Sequence, residues 1–239
     1  MIRIVSETGS TNADLLARLG AGERVAEGDW LVTDRQTGGR GRQGRSWLDA
    51  PGNFMGSTAV RVSPQDPPAA SLSFVAALAV YETVLTRIGN PRELELKWPN
   101  DVLLGGGKFC GLLLEREGET VVVGIGVNLA NAPEVDDRRT RALAEFGPAP
   151  DRDAFAAELA AQFDRELGRW RQYGLEPILN RWIGAAHPVG TALTVHEPNG
   201  GTVCGAFAGL EGDGALRLRL ADGGLRVIHA GDVMLGGAA

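Results

Sequence analysis

Cysteine is scarce, with only Cys110 and Cys204 in 239 residues. Two thiols so far apart make no disulfide framework, and nothing near them has the Cys/His spacing of a zinc site. A reducing compartment fits, and the cytoplasm is the expected location. Histidine is equally sparse. His187, His196 and His229 are scattered without ligand spacing and read as structural or surface residues. Long apolar runs are missing too. None approaches the ~20 residues a bilayer span needs, and Met1-Ile2-Arg3-Ile4-Val5-Ser6 lacks the apolar stretch of a signal peptide. Positive charge is lacking in sum. A net charge of -6 argues against broad electrostatic binding to DNA or an anionic membrane.

What is present is an ordinary globular balance, 44% hydrophobic and 23% charged. The length suits one large domain, or a large one with a small one, and buries a real core. Glycine is the outlier at 34 residues, about twice the usual ~7%. Such abundance marks tight turns and places where backbone approaches a ligand closely. The basic residues that exist gather locally, with Arg35, Arg40, Arg42 and Arg45 inside eleven positions. That knot in an acidic chain points to a small anionic ligand; the plainer reading is a solvated loop.

Ser10-Thr11-Asn12 opens a helix, with Thr11 and Asp14 as its capping pair, Leu15, Leu16 and Leu19 as its apolar face, and Gly20 as its stop. Strands are expected over 30–33 and 53–62. Residues 69–88 read as one long helix, because Phe74, Leu78, Tyr81, Leu85 and Ile88 recur at steps of four and three. A strand over 94–98, a hairpin over 102–115 about Gly105-Gly106-Gly107, and a strand over 120–129 follow. Residues 133–150 are polar and irregular. A helical stretch over 155–182 breaks near Gly174 and Pro177. After His187-Pro188 the pattern changes to short strands at 193–196, 202–210, 215–220 and 225–229, a small all-β barrel. The fold class is therefore α+β, a mixed sheet with helices followed by a β cap, with domains at 1–187 and 188–239.

Three segments can carry chemistry. The first runs Gln36-Thr37-Gly38-Gly39-Arg40-Gly41-Arg42-Gln43-Gly44-Arg45-Ser46-Trp47. It satisfies G-x-G-x-x-G and nearly a P-loop, but both need a helix to begin there. Trp47-Leu48-Asp49-Ala50-Pro51-Gly52-Asn53 does not make one. What remains is an arginine loop on glycine hinges, able to pair with carboxylate or phosphate and to fold over a ligand. The second is Lys97-Trp98-Pro99-Asn100-Asp101 with Lys108 across a hairpin. Two lysines and a carboxylate there suit an anion and a metal ion, or are exposed charges on an ordinary hairpin. The third is Gly124-Ile125-Gly126-Val127-Asn128-Leu129. Two glycines in an apolar strand mean something packs on the backbone, unless they mark a bulge. Asn128 offers donor and acceptor to a nucleobase. Cys110 sits in an apolar strand with no base beside it and reads as a small core residue. Trp170 and Trp182 read as packing for the second helical region.

These segments, with Lys108-Phe109-Cys110-Gly111-Leu112-Leu113-Leu114-Glu115, stand in an order that resembles the catalytic domain of the biotin–protein ligases. The terminal β segment resembles their SH3-like domain. The resemblance covers nearly the whole chain. It implies a catalytic domain like that of class II aminoacyl-tRNA synthetases. It also implies an ATP-dependent, AMP-forming ligase that makes biotinyl-5'-AMP and passes it to a lysine of a biotin carboxyl carrier domain. Some members begin with a DNA-binding domain; this chain starts almost at the catalytic segments, so no DNA partner and no membrane are expected. By resemblance, Lys108, Arg40, Arg42 and Mg2+ carry the charge of the first step, and Asp101 holds the metal or orients the incoming lysine. Ser10, Thr11, Asn12 and Gln36 bind biotin, Asn128 lies near the nucleotide, and Trp47 covers the adenylate. Gly39, Gly41, Lys97, Gly111 and Gly126 complete the expected binding set, and a homodimer is expected. The rivals are a lipoate or octanoate ligase, a non-catalytic biotin- or nucleotide-binding module, and a generic nucleotide-binding protein.

Overall fold

The computed structural model describes residues 1–136 and 138–236. Elements follow in the order β1 (Ile2–Thr8), α1 (Thr11–Gly20), β2 (Trp30–Gln36), β3 (Phe54–Arg61), α2 (Leu72–Leu85), β4 (Leu94–Lys97), β5 (Asp101–Leu104), β6 (Gly107–Glu117) and β7 (Thr120–Val127). Then come α3 (Arg152–Tyr173), α4 (Leu175–Ala185), β8 (Ala192–His196), β9 (Thr202–Leu210), β10 (Leu216–Arg219), β11 (Leu225–Ile228) and β12 (Asp232–Leu235). The first seven strands form one mixed sheet in the order β1-β2-β3-β7-β6-β5-β4. Only β1 and β2 run parallel. The last five form a second sheet in the order β11-β10-β9-β8-β12.

The two-residue period of β7 divides the large sheet into its two faces. Val121, Val123, Ile125 and Val127 enter the main core under α2, α3 and α4, together with Leu193, Val195 and Phe207 of the second sheet. The other face carries Val122, packed with Leu15 and Leu31 beneath α1, and then Gly124 and Gly126, where the sheet is bare. Trp98 ties the two sheets together: its buried indole Nε1 donates to the Gly214 carbonyl at 3.0 Å. Lys97 Nζ donates to the Val233 carbonyl at 2.9 Å.

Several expectations are corrected. The cap of α1 is Ser10, whose hydroxyl accepts from Ala13 N; Asp14 instead accepts from the Thr8 hydroxyl. The long helix is shorter, because residues 69–71 form a 3-10 turn and α2 ends at Leu85. Pro177 breaks nothing. It lies in the first turn of α4, where a missing N–H is harmless, and the break belongs to Gly174 at φ +78°. Strands β1 and β12 were not foreseen, since neither alternates cleanly: β1 is a half-exposed edge, and β12 is four residues long.

His187 is buried at the junction, edge-on to Phe207 with ring centroids 4.5 Å apart. Burial and then the Lys97 ammonium push the imidazole down to about 4. The native state refuses a proton that the unfolded chain accepts below ~6.5, so stability falls as pH drops from about 6.5 toward 4. Between pH 7 and pH 5 this group should cost about 2 kcal/mol. Urea midpoints of His187→Leu should fall less over that interval than those of the unsubstituted chain; equal falls would remove His187 as a cause.

Candidate active site

Register lays one continuous line of residues across the bare face. Lys97 pairs with Asp101, Asp101 with Gly111, Gly111 with Gly126, and Gly126 with Met55. The next row on that face is Leu113, Gly124 and Ser57, and the third is Glu115, Val122 and Ala59. The pairing through Gly124 and Gly126 runs unbroken, so these glycines mark no bulge. Above the rows lies a cavity of about 720 Å³. It takes in Ser10, Thr11, Asn12, Gln36, Arg40, Gly41, Arg42, Trp47, Lys97, Asp101, Lys108, Gly111, Gly126 and Asn128. Gly39 stands outside it. A Cβ there would run into the Trp47 carbonyl, so that glycine serves the close crossing of the loop on itself.

At one end Asp101 lies between two ammonium groups. Its Oδ1 is 2.7 Å from Lys108 Nζ, and its Oδ2 is 3.1 Å from Lys97 Nζ. A register shift between Val102 and Leu103 turns Lys108 toward it. Gly111 leaves the room: a Cβ there would sit 3.2 Å from Lys108 Cε. Burial alone would raise the Asp101 carboxyl, but Lys108 and then Lys97 outweigh it and hold it below the usual carboxylate range. The cluster is therefore a fixed anion among cations, with positive charge left over for a ligand. Arg42 approaches from the loop side, donating from Nη1 to Asn100 Oδ1 at 3.1 Å. Burial pulls its guanidinium below the usual arginine range, and Asp232 and Asp101 partly offset this.

The other end is polar and uncharged. Thr11 N donates to Gln36 Oε1 at 3.0 Å, Thr11 Oγ1 and Ser57 Oγ are 2.7 Å apart, and Ser57 Oγ donates to Asn12 Oδ1 at 2.6 Å. Asn12 fits because its partner in the sheet is Gly124, where any Cβ would strike the amide. Trp47 covers the middle, its indole lying directly on Gly126 and Gly111. What the two glycines in β7 carry is thus Asn12 and Trp47.

The arginine loop is folded. Arg40 and Ser46 bridge it, Gly41 N donates to Arg45 O at 2.6 Å, and Gln43 takes φ +56°. Its arginines part company. Arg45 Nη2 lies 2.6 Å from each oxygen of Asp232 on β12, while Arg40 Nη2 donates to Glu115 Oε2 at 2.9 Å, apart from the Lys108 group. Asn128 is buried and already committed. Its amide donates to the Arg141 carbonyl at 3.1 Å, pinning the segment that roofs the cavity. Cys110 is buried, and burial drives its thiol far up, which removes it as a nucleophile. Among the described residues no group of three His, Cys, Asp or Glu could hold a metal. The Asp101 carboxylate lies beside two ammonium groups, and its buried Oδ1 accepts no hydrogen bond.

Sequence reasoning missed Ser57 and Asp232, and it placed Asn100 and Glu115 inside motifs without giving either a role. Ser57 and Glu115 were legible only through strand register; Asp232 lies on the unforeseen β12.

Residues 10–129 match the family model described as the biotin/lipoate A/B protein ligase family, and residues 193–236 match the biotin protein ligase C-terminal domain. The chain belongs to the biotin/lipoate A/B protein ligase family. It is 39% identical to a biotin–[acetyl-CoA-carboxylase] ligase of Paracoccus denitrificans, covering 98% of this chain and 100% of that one. It is 38% identical to the Mycobacterium tuberculosis protein of the same name, covering 97% of this chain and 87% of that one. Among solved structures it is similar to a biotin protein ligase from Aquifex aeolicus in complex with biotin and ATP. The TM-score is 0.85 and the identity 26%, over 99% of each chain.

The family cavity yields a direct test of how Trp47 is seated. Gly126→Ala should leave the fold intact and push the indole off β7, raising acrylamide quenching of tryptophan emission. The increase should vanish in a Trp47→Phe background. Unchanged quenching would mean Trp47 does not rest on Gly126.

Proposed function

We propose that this chain is an ATP-dependent biotin–protein ligase. The carrying observation is one cavity with two chemically different ends, a neutral hydrogen-bonding pocket at Thr11, Asn12, Gln36 and Ser57, and a cationic cluster at Lys97, Lys108 and Arg42. A cyclic urea needs donors to its carbonyl and acceptors for its N–H groups, and the neutral end offers both. An octanoyl or lipoyl tail has no group to meet this polar lining and gains nothing from it. The curated relatives named as biotin–[acetyl-CoA-carboxylase] ligases, and the Aquifex structure with biotin and ATP, support the same reading.

In the first step a biotin carboxylate oxygen attacks the α-phosphorus of ATP, and pyrophosphate leaves with the bonding electron pair. Two anions must meet, so preorganised positive charge is the largest help a site can give. Lys108, steadied by Asp101, and Arg42 supply it. In the second step an acceptor lysine amine attacks the acyl carbon, AMP leaves, and the amine loses a proton. Asp101, held ionised, is a weak base and orients rather than deprotonates. The acceptor is a biotin carboxyl carrier domain. In architecture the two sheets read as a class II synthetase-like domain with an SH3-like cap.

Biotin-dependent exchange of pyrophosphate into ATP tests the reading. Exchange with biotin and not with lipoate or octanoate is expected; exchange with those acids alone would move the assignment to the sister ligases, and none from folded protein would leave a binding module. Lys108→Ala should slow exchange at least ~100-fold with the fold intact, the scale of losing one transition-state donor. An unchanged rate would remove Lys108 from the chemistry.

A further inference from the structure

The cationic end of the cavity holds a second carboxylate, and the cap supplies it. Asp232 opens β12, and Arg45 Nη2 lies 2.6 Å from each of its oxygens. Arg42 Nη1 stands 3.9 Å from Asp232 Oδ1. All three side chains line the cavity. Lys97 links this carboxylate to the first one. Its ammonium meets Asp101 Oδ2 at 3.1 Å and donates to the carbonyl of Val233, the neighbour of Asp232, at 2.9 Å. Lys97, Lys108, Arg42 and Arg45 therefore bring four positive charges to this group, and Asp101 and Asp232 bring two negative ones.

The two carboxylates differ in how firmly they hold their cations. Asp101 is buried, and breaking its pairs strands a charge away from water. The Asp232 side chain is 31% exposed and that of Arg45 38%. Water screens such a pair, so it holds weakly and exchanges readily. The two partners are also mounted differently. Asp232 pairs with His196 across β8 and β12, and Val233 behind it is buried in the main core. Gly231 before it lies so close to β8 that a Cβ would stand 2.8 Å from Val195 Cγ1. Arg45 lies outside any strand, and its side chain otherwise reaches only the Gln43 amide oxygen at 3.2 Å and the Arg42 carbonyl at 3.4 Å. When another anion arrives, the Arg45 side chain is the part that changes partner. Phosphate oxygens accept from a guanidinium as a carboxylate does. An incoming polyphosphate thus contends with Asp232 for the same N–H groups.

We propose that Asp232 is an internal competitor for the polyphosphate tail of the nucleotide. While the cationic end is empty, it neutralises Arg45 and part of Arg42. It yields both to the phosphates of ATP. Once the acyl-adenylate has formed, it takes them back from pyrophosphate and hastens release of that product. It touches no reacting atom and acts through the two arginines, while Asp101 keeps its lysines throughout. The inference rests on the biotin ligase reading of the same cavity. It adds what sets affinity at the phosphate end: the cap lowers it, where four unopposed cations would retain the leaving group.

Calorimetric titration with inorganic pyrophosphate reads the competition without turnover. Asp232→Asn keeps the shape of the side chain and removes its charge. It should bind pyrophosphate about tenfold more tightly than the unsubstituted chain, the scale of one charge-assisted hydrogen bond. In biotin-dependent exchange its Michaelis constant for ATP should fall by a similar factor, with the one for biotin unchanged. Asp232→Glu, which restores the charge, should return both readings toward the original values. With Arg45→Gln already in place, Asp232→Asn should change pyrophosphate binding by less than about threefold, because the contested donor is gone. Thermal unfolding checks that each variant folds, and Asp232→Ser carries the same expectation should Asp232→Asn not fold. Pyrophosphate binding that is unchanged or weaker in the folded variant would overturn the proposal, since a carboxylate that merely orients Arg45 toward the phosphates gives that result. Binding by neither protein would overturn it too. Failure of the ligase reading itself looks different: the unsubstituted chain would then show no biotin-dependent exchange, whatever its affinity for pyrophosphate.

Discussion

The site depends on one buried carboxylate held between two ammonium groups. Asp101 alone would be expelled by its own desolvation; with Lys97 and Lys108 at 3.1 and 2.7 Å it stays ionised, and it holds both lysines against the sheet. Removing one member of such a group leaves the others unpaired, which is why buried pairs are costly to break even where their net contribution to folding is small. The rest of the site can be derived from this arrangement. The strands must pair so that Lys97 faces Asp101 and Asp101 faces Gly111, and Lys108 must reach across a register shift. Gly111 must lack a side chain for that reach to exist.

The second constraint is the bare strip of sheet. Gly111, Gly124 and Gly126 leave a trough that Trp47 and Asn12 fill from two different directions, one from the loop after β2 and one from the start of α1. A trough roofed by separate elements can open and close without disturbing the core beneath, because Val123, Ile125 and Val127 pack on the opposite face. The second sheet is part of this machinery. Lys97 reaches Val233, Trp98 reaches Gly214, and Arg45 of the loop is clasped by Asp232. An anion entering beside Arg42 and Arg45 meets arginines that Asp232 already partly neutralises.

Much of this was legible in the chain before any geometry. The helical spacing of Phe74, Leu78 and Tyr81, the hairpin about Gly105-Gly106-Gly107, and the change to short strands after His187 all mark real elements. The lysines and Asp101 could be placed near one another because a hairpin brings neighbours in sequence together. Local patterns could not show what depends on long-range register. Ser57 and Gly124 meet across 67 positions, and Glu115 meets Arg40 across 75; nothing in either segment names the other. The cap of α1 fell to Ser10 because the helix begins at Thr11, one residue earlier than Thr11 as cap would require. Strand β12 was hidden by its brevity, and with it Asp232. The arginines of the loop read as one positive patch, whereas folding sends Arg40, Arg42 and Arg45 to three different partners.

The central claim is that Asp101 acts through Lys108 rather than by itself on a metal or a proton. A double-mutant cycle on the rate of biotin-dependent pyrophosphate exchange, using Asp101→Asn, Lys108→Ala and the pair, separates the two. If Asp101 only positions Lys108, the double variant should be slower than Lys108→Ala by no more than about threefold, the scatter expected of groups acting as one unit. Losses that multiply would show that Asp101 contributes independently, and the account of the cationic end would have to be rebuilt around it.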